Sequence, residues 1–206
     1  MWSWLSNRVP GYQKIADRLG FYFSETDENK SVFNAFKNFK LFKMGSGRKV
    51  KYILTRKTQH ETQWTFEYFY TISTGKSTAT YIQHVFAVHC DISLASFYFY
   101  PQNFLHTIGK WFGMQDVEWK DFPDFNKNYM VKASSETEIR TFISEDVLGF
   151  LSYEKGWHIQ AIENQIIFYK AGKRMNEEMV EPFIQVAETM YNILRGRQRL
   201  DSKNDS

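Results

Sequence analysis

Residues 62–72 read Thr62-Gln-Trp-Thr-Phe-Glu-Tyr-Phe-Tyr-Thr-Ile72, and this stretch decides the fold. Large apolar residues occupy every second position: Trp64, Phe66, Tyr68, Tyr70 and Ile72. The positions between them are mostly polar: Gln63, Thr65, Glu67 and Thr71. A period of two is typical of a β-strand with one face on a core and one polar face. The stretch therefore predicts an antiparallel sheet with an aromatic face.

Similar strands are predicted on both sides of this stretch. They are expected at residues 39–44, 49–56, 78–89 and 96–100. The turns between them contain Gly45-Ser-Gly47, Thr58-Gln-His60 and Thr74-Gly-Lys76. Short turns between consecutive strands predict an antiparallel meander of about five strands. The polar residues 24–31 that precede it are expected to form a loop.

The rest of the chain mixes helices with strands. A helix is expected at 11–19, where Gly20 ends it, and another at 102–113. The capping box Ser135-Glu-Thr-Glu138 predicts a helix that continues to Leu151. The other expected elements are a strand at 129–131, a hairpin of 157–162 and 166–170, and a last helix capped by Asn176. The order indicates an α+β fold, a meander followed by a β-α-β-β-α half, with helices packed on one sheet face.

Composition and length favour one folded domain. The 206 residues include 19 Phe, 12 Tyr and 6 Trp, and 43% are hydrophobic, which excludes a disordered chain. This length fits a single domain, or two packed halves at 1–100 and 101–199. The polar tail at 200–206 is expected to fray.

The expected location is the cytoplasm, with peripheral contact to a membrane as the alternative. No run of 18 apolar residues predicts a transmembrane helix. The N-terminus lacks the charged and apolar regions of a secretion signal. The single cysteine, Cys90, excludes a disulfide scaffold and suits a reducing compartment.

Motifs in the second half resemble a bacterial family of uncharacterised proteins. They are Phe99-Tyr-Pro101-x-Asn103-Phe-Leu105-x-x-Ile108-Gly109, Gly113-Met-Gln-Asp116-Val and Phe122-Pro123-x-Phe125-x-x-x-Tyr129. Gly156-Trp157, Ile167-Phe-Tyr169 and Phe42-x-x-Gly45-x-x-Arg48 also fit this family. The resemblance covers about half of the chain. It implies no activity, cofactor or catalytic residue.

The sequence contains no motif typical of a catalytic or metal site. His89 and Cys90 are neighbours in a predicted strand and would point to opposite faces, so a nucleophile–base pair is not favoured. We expect Cys90 to be a buried thiol. The five histidines lack zinc-site spacing, and the acidic residues of 116–124 lack the spacing of an EF-hand. These observations favour a non-enzymatic protein without a cofactor.

Positive charge is concentrated at the start of the chain. Residues 1–57 hold 12 Lys and Arg against 4 Asp and Glu, a net charge of +8, whereas the remainder is −5. From Lys30 to Lys57 there are nine cations and no acid, with phenylalanines between them. The candidate binding residues are the eight cations that follow Lys30, namely Lys37, Lys40, Lys43, Arg48, Lys49, Lys51, Arg56 and Lys57. Several are expected to face one another across a hairpin at 39–57.

We therefore predict a binding or adaptor module that contacts an acidic protein or an anionic membrane surface through this basic, aromatic hairpin. The first alternative is single-stranded nucleic acid, which binds to cations interleaved with aromatic side chains. The second is a small-molecule site or an enzyme with an aromatic pocket. The third is a solvated strand face whose lysines prevent edge pairing. The N-terminal helix, with Trp2, Trp4 and Leu5, could cover the sheet, contact a partner or lie on a membrane.

Overall fold

A computed structural model of the protein describes residues 8–102, 113–172 and 174–204, with side chains as far as Gly196. The helices are α1 (Arg8–Leu19), α2 (Ser31–Phe36), α3 (Lys40–Lys43), α4 (Pro123–Asn128), α5 (Glu136–Phe142), α6 (Glu145–Tyr153) and α7 (Glu177–Asn204), with a 3-10 turn at Glu28–Lys30. The strands are β1 (Tyr22–Thr26), β2 (Ser46–Lys57), β3 (Glu61–Ser73), β4 (Thr78–Cys90), β5 (Phe97–Pro101), β6 (Gln115–Asp116), β7 (Tyr129–Ala133), β8 (His158–Ile162) and β9 (Gln165–Tyr169). The predicted α+β class is confirmed.

The chain divides into two compact units. The first contains the chain up to Asp91 together with Tyr169–Ile184, and the second contains Ile92–Phe168 and the chain from Gln185 onward. The first unit thus ends before β5, although the pattern predicts β5 in the same meander as β2, β3 and β4. The chain also returns to the first unit near its end, which the halves at 1–100 and 101–199 did not anticipate.

The first unit contains an antiparallel sheet in the order β1-β2-β3-β4. Three of its predicted strands and the turns at 58–60 and 74–76 are present. The predicted strand at 39–44 is wrong, because Lys40–Lys43 is a helical turn. Its place beside β2 is taken by β1, in the region predicted as a loop. The polar side chains of β1 concealed it, since an exposed edge strand needs few apolar residues.

Strand β2 contains two irregularities in its pairing with β3. Between Ser46 and Lys49, and again between Lys51 and Leu54, β2 has one residue more than β3. Gly47 and Tyr52 lie at these bulges with φ of 60° and 52°. A bulge inserts an unpaired residue and bends the strand. The simple alternation predicted for residues 49–56 is therefore interrupted.

Helices cover both faces of the first sheet rather than one. On the aromatic face, Phe36 of α2 lies 5.4 Å from Trp64, and Phe42 of α3 lies 4.5 Å from Tyr68, measured between ring centroids. On the opposite face, Tyr12 of α1 donates a hydrogen bond to Glu67, and Phe183 of α7 lies 5.0 Å from His84. The face predicted to be polar and solvated is therefore buried.

The second unit orders its strands β9-β8-β5-β7-β6. Its core is also aromatic: Phe97 lies 5.6 Å from Phe142, and Trp119 packs edge-to-face 5.5 Å from Phe125. Ser135 caps α5 as predicted, but the helix ends at Phe142, and Ser144 caps a separate helix, α6. The predicted hairpin is present as β8 and β9, and Asn176 caps α7.

Two predicted features lie outside the described residues, namely the helix at 102–113 and the positions of Trp2, Trp4 and Leu5. The described part of the N-terminal helix, α1, packs on the sheet, with Tyr12, Ile15 and Ala16 buried. Helix α7 continues to Asn204, through most of the tail that was expected to fray. Among the described residues, no helix has the length and apolar character needed to cross a membrane.

Candidate functional site

Four cations from the first quarter of the chain line a groove in the first unit. The groove has a volume of about 580 Å³ and lies between the segment after β1 and the start of β2. We call it the basic groove, and its lining residues are Thr26, Asp27, Lys30, Phe33 and residues 45–51. Four cations border it: Lys30, Arg48, Lys49 and Lys51. Phe33 and the buried Val50 supply apolar surface.

The shape of the groove depends on the turn that opens β2. Gly45 has φ of 59°, and a Cβ atom there would lie 2.4 Å from the carbonyl oxygen of Thr71. Glycine is therefore required at this position for both conformation and space. Arg48 fastens the same turn, because its guanidinium donates to the carbonyl oxygens of Lys43, Met44 and Gly45 at 2.9–3.2 Å. Arg48 thus shapes the groove as well as adding charge to it.

The acid in the groove is already engaged with the backbone. The Asp27 carboxylate accepts hydrogen bonds from the N–H groups of Val32 and Phe33 at 3.0 and 2.8 Å. Asp27 thereby caps the N-terminus of α2, and Lys30 lies directly before the first residue of that helix. Asn29 and Lys30 both have positive φ, near 55°, which turns the chain sharply at this point. The cations of the groove therefore outnumber its one acid by four to one.

The other candidate cations separate into two groups. Arg56 is half-buried: it donates to Leu19 and to Gln63, and its guanidinium lies 4.4 Å from the ring centroid of Phe21. The amine of Lys40 is buried, and burial lowers the pKa of Lys40. By contrast, Lys37, Lys43 and Lys57 are exposed but do not line the groove.

The expected hairpin at 39–57 does not exist, so its cations do not face one another as predicted. Lys51 lies opposite Thr26 of β1 and Glu67 of β3, and Lys49 lies opposite Phe69. The groove instead joins the cations of β2 with Lys30 from the segment after β1. The eight candidate residues remain a prediction, and the structure brings together Arg48, Lys49 and Lys51 among them.

A buried ion pair on the opposite face was missed by the sequence analysis. Arg8 of α1 and Glu67 of β3 approach to 2.5 Å, with 7% and 1% of their side chains exposed. Tyr12 donates to the same carboxylate oxygen at 2.8 Å, and Arg8 also donates to the carbonyl of Met175 at 2.9 Å. The rings of Tyr12 and Tyr52 stack at 5.1 Å beneath the Arg8 guanidinium. We call Arg8, Tyr12, Tyr52, Glu67 and His84 the buried polar cluster.

The electrostatics of this cluster follow from its burial. Burial raises the pKa of the Glu67 carboxyl, whereas the nearby Arg8 guanidinium acts to lower it. Burial and the Arg8 charge together lower the pKa of His84 to about 3, so its imidazole is neutral at pH 7. His84 bonds Thr65 through Nε2 at 2.9 Å. Among the described residues, Nδ1 of His84 and Oε2 of Glu67 have no hydrogen-bond partner.

The buried polar cluster anchors α1 to the sheet. Its members lie on α1, β2, β3 and β4, and Glu67 and His84 are each 1% exposed. One sequence signal could have revealed it. From Gln63 to Thr71, the supposed solvent face of β3 contains a single charge, Glu67, among uncharged residues. A solvated strand face of this length would normally carry more Lys, Arg, Glu or Asp.

The other predicted features have structural explanations. Cys90 is buried, as expected, and His89 beside it is exposed. Asp116, the first of the acidic residues of 116–124, lies in β6 and pairs with Lys132 of β7 at 2.6 Å. Within the described ranges, no three His, Cys, Asp or Glu side chains gather in a way that could hold a metal ion. A second hollow of about 560 Å³, lined by Arg8 and residues 174–178, mixes two arginines with two glutamates and favours neither sign of charge.

Comparisons with known proteins identify a fold but no family. No protein-family profile matches the chain, and no curated protein matches it by sequence. Among solved structures, the crystal structure of the mycobacterial trehalose monomycolate transport factor A, TtfA, is similar with a TM-score of 0.61. The match covers 90% of this chain and 92% of that chain at 12% sequence identity. At this identity the likeness shows the fold alone.

Proposed function

We propose that this protein is a non-enzymatic binding module that holds an acidic segment of another protein in the basic groove. The observation that supports this is the convergence of Lys30, Arg48, Lys49 and Lys51 on one concave site with apolar surface in Phe33 and Val50. Carboxylates are attracted to such a cluster, and the attraction speeds encounter as well as stabilising the complex.

The concave form of the site favours a protein segment over a flat membrane. A lipid surface is met best by cations that protrude together, whereas Lys30, Arg48, Lys49 and Lys51 line a concave site. A groove of about 580 Å³ has room for several side chains of an extended segment. Nucleic acid is less favoured, because Phe33, the aromatic residue in the groove, is half-buried and offers little surface for base stacking.

The named structural neighbour is compatible with this proposal. TtfA is described as a transport factor for trehalose monomycolate. That description concerns a different protein, but a role as a factor in transport agrees with a binding module. The proposal for this chain rests on the groove and not on the neighbour.

A charge-reversal experiment tests the proposal. The variant Lys30→Glu/Lys49→Glu/Lys51→Glu changes three groove cations, and Lys37→Glu/Lys57→Glu/Lys76→Glu changes three exposed cations outside the groove by the same charge. The probe is a fluorescein-labelled 12-residue peptide of alternating Glu and Thr, measured by anisotropy at low and high salt.

We expect the groove variant to lose at least tenfold in affinity and the control variant to change little. Binding of the unaltered protein should weaken as salt screens the charges. Equal losses in both variants would mean that net charge, not the groove, attracts the peptide. If vesicles with anionic lipid or an oligo-dT strand bind through the same residues and the peptide does not, the partner class is wrong.

A further inference from the structure

The strand next to the basic groove is the open edge of the first sheet. Strand β1 stands at the end of the strand order, and β2 is its one neighbour among the described strands. No backbone hydrogen bond joins Tyr22–Thr26 to any described residue outside the sheet. As far as the described residues show, one row of peptide N–H and C=O groups on this mostly exposed strand has no strand beside it and can pair with a further one.

This edge has only some of the features that prevent pairing. Natural proteins protect exposed edges with short strands, charged side chains, proline or bulges, and β1 is short and carries one charge, Glu25. Strand β1 reads Tyr-Phe-Ser-Glu-Thr, with no lysine or proline, and its pairing with β2 shows no register shift. The Tyr22 side chain, 82% exposed, stands at the start of this strand. An aromatic side chain in that position can pack on a residue of an added strand.

The open edge leads directly into the basic groove. Thr26, the last residue of β1, lines the groove and lies opposite Lys51. A strand added beside β1 would lie about 4.8 Å from it and advance about 3.3 Å per residue. A segment of about eight to ten residues at that rise would cover β1 and extend into the groove.

We propose that the partner segment adds to β1 as an extra β-strand and places its acidic end among Lys30, Lys49 and Lys51. This inference rests on the proposed function and specifies the conformation of the partner. Main-chain hydrogen bonds to an edge strand give affinity, whereas side-chain contacts give specificity. The segment is therefore extended, acidic at the end near Thr26, and aromatic or β-branched at the end near Tyr22.

Charge complementarity favours such a partner over a second copy of this chain. Glu25 lies in β1, and Asp27 and Glu28 follow directly after it. Pairing β1 with β1 of another copy in antiparallel fashion would place these acids beyond the partner's Tyr22 and away from its groove cations. The groove would then remain without acidic groups.

The test compares unmodified peptides with versions that differ only in their backbone. The unmodified peptide has ten residues with a Glu-rich end and a Thr/Val/Tyr end, and it is made once with the Glu residues at the N-terminus and once with them at the C-terminus, so that both strand directions are sampled. Each is also made with N-methyl groups on the odd-numbered residues and, separately, on the even-numbered residues, which removes N–H donors and keeps the charge. Affinity is measured with the full chain, and amide hydrogen exchange is followed at residues 22–26.

We expect N-methylation in one phase to weaken binding by about tenfold or more, since several main-chain hydrogen bonds are lost at once. The unmodified peptide should slow amide exchange at alternate residues of β1. If both peptides bind equally and exchange at β1 is unchanged, strand addition is wrong and the proposed function survives. If neither binds, both are wrong. If amide exchange at β1 is slow without peptide, and becomes slower as the protein concentration rises, a second copy occupies the edge and the inference is wrong.

Discussion

Two oppositely charged residues, Lys51 and Glu67, lie directly opposite each other on neighbouring strands, yet belong to different environments. Glu67 is buried and pairs with Arg8 from α1, so its charge is used within the molecule. Lys51 lines the basic groove with Lys30 and Lys49. Because Glu67 pairs with Arg8, it does not neutralise Lys51, and the groove cations can attract the acidic groups of an external partner. The comparison shows that α1, by bringing Arg8 to Glu67, determines which charges are paired within the molecule and which can contact a partner.

Breaking the buried pair should have the largest effect. Glu67→Leu leaves the Arg8 guanidinium buried without its carboxylate, and we expect the free energy of unfolding to fall by about 3–5 kcal/mol. Urea denaturation measures this change. The double variant Arg8→Met/Glu67→Leu removes both charges and should recover most of the loss. If the single variant is as stable as the double variant, the pair does not anchor α1.

A pH titration separates the buried cluster from the groove. The pKa of His84 is about 3 in the folded protein, and a histidine in an unfolded chain has a pKa near 6.5. The unfolded state therefore binds more protons between these values, and stability falls as the pH decreases from about 6.5 toward 3. His84 alone contributes a slope of about 1.4 kcal/mol per pH unit in this window.

The variant His84→Gln should lose that part of the slope in urea denaturation series at pH 7, 6, 5 and 4. His89→Gln is the matched control, because His89 is exposed on the same strand. A wild-type slope in His84→Gln would show that other groups cause the acid sensitivity.

The smallest effect distinguishes two adjacent cations of β2. Arg56 donates to Leu19 and Gln63 and covers Phe21, whereas Lys57 is exposed. Arg56→Ala should lower the free energy of unfolding by about 1–2 kcal/mol and leave binding of the acidic peptide intact. Lys57→Ala should change neither quantity. If Arg56→Ala abolished binding without loss of stability, Arg56 would belong with the groove cations.

Much of the fold could be predicted because its strongest signals are local. The alternation in β3, the Ser135 and Asn176 caps and the β8–β9 turn each depend on residues close in sequence. The helical turn at Lys40–Lys43 was predicted as a strand, because Phe39, Leu41 and Phe42 are apolar and a six-residue stretch is too short for periodicity to distinguish a helix from a strand. Strand β1 was missed because edge strands carry few apolar residues.

The candidate site was predictable in part for the same reason. The run of cations is a local feature, so Arg48, Lys49 and Lys51 were identified together. Their grouping with Lys30 depends on the pairing of β1 with β2 and on the cap of α2 by Asp27. The partial burial of Arg56 and the full burial of Glu67 depend on contacts with α1, which is distant in sequence from both residues.

The burial of Cys90 has a practical consequence. It is the single cysteine of the chain and is 2% exposed, so it should react slowly with thiol-directed dyes. A cysteine introduced at the exposed Lys49 would then be labelled selectively in the otherwise natural protein. A fluorophore at that position would report directly on the occupancy of the groove. The protein is thus already suited to site-specific spectroscopy without removal of a native thiol.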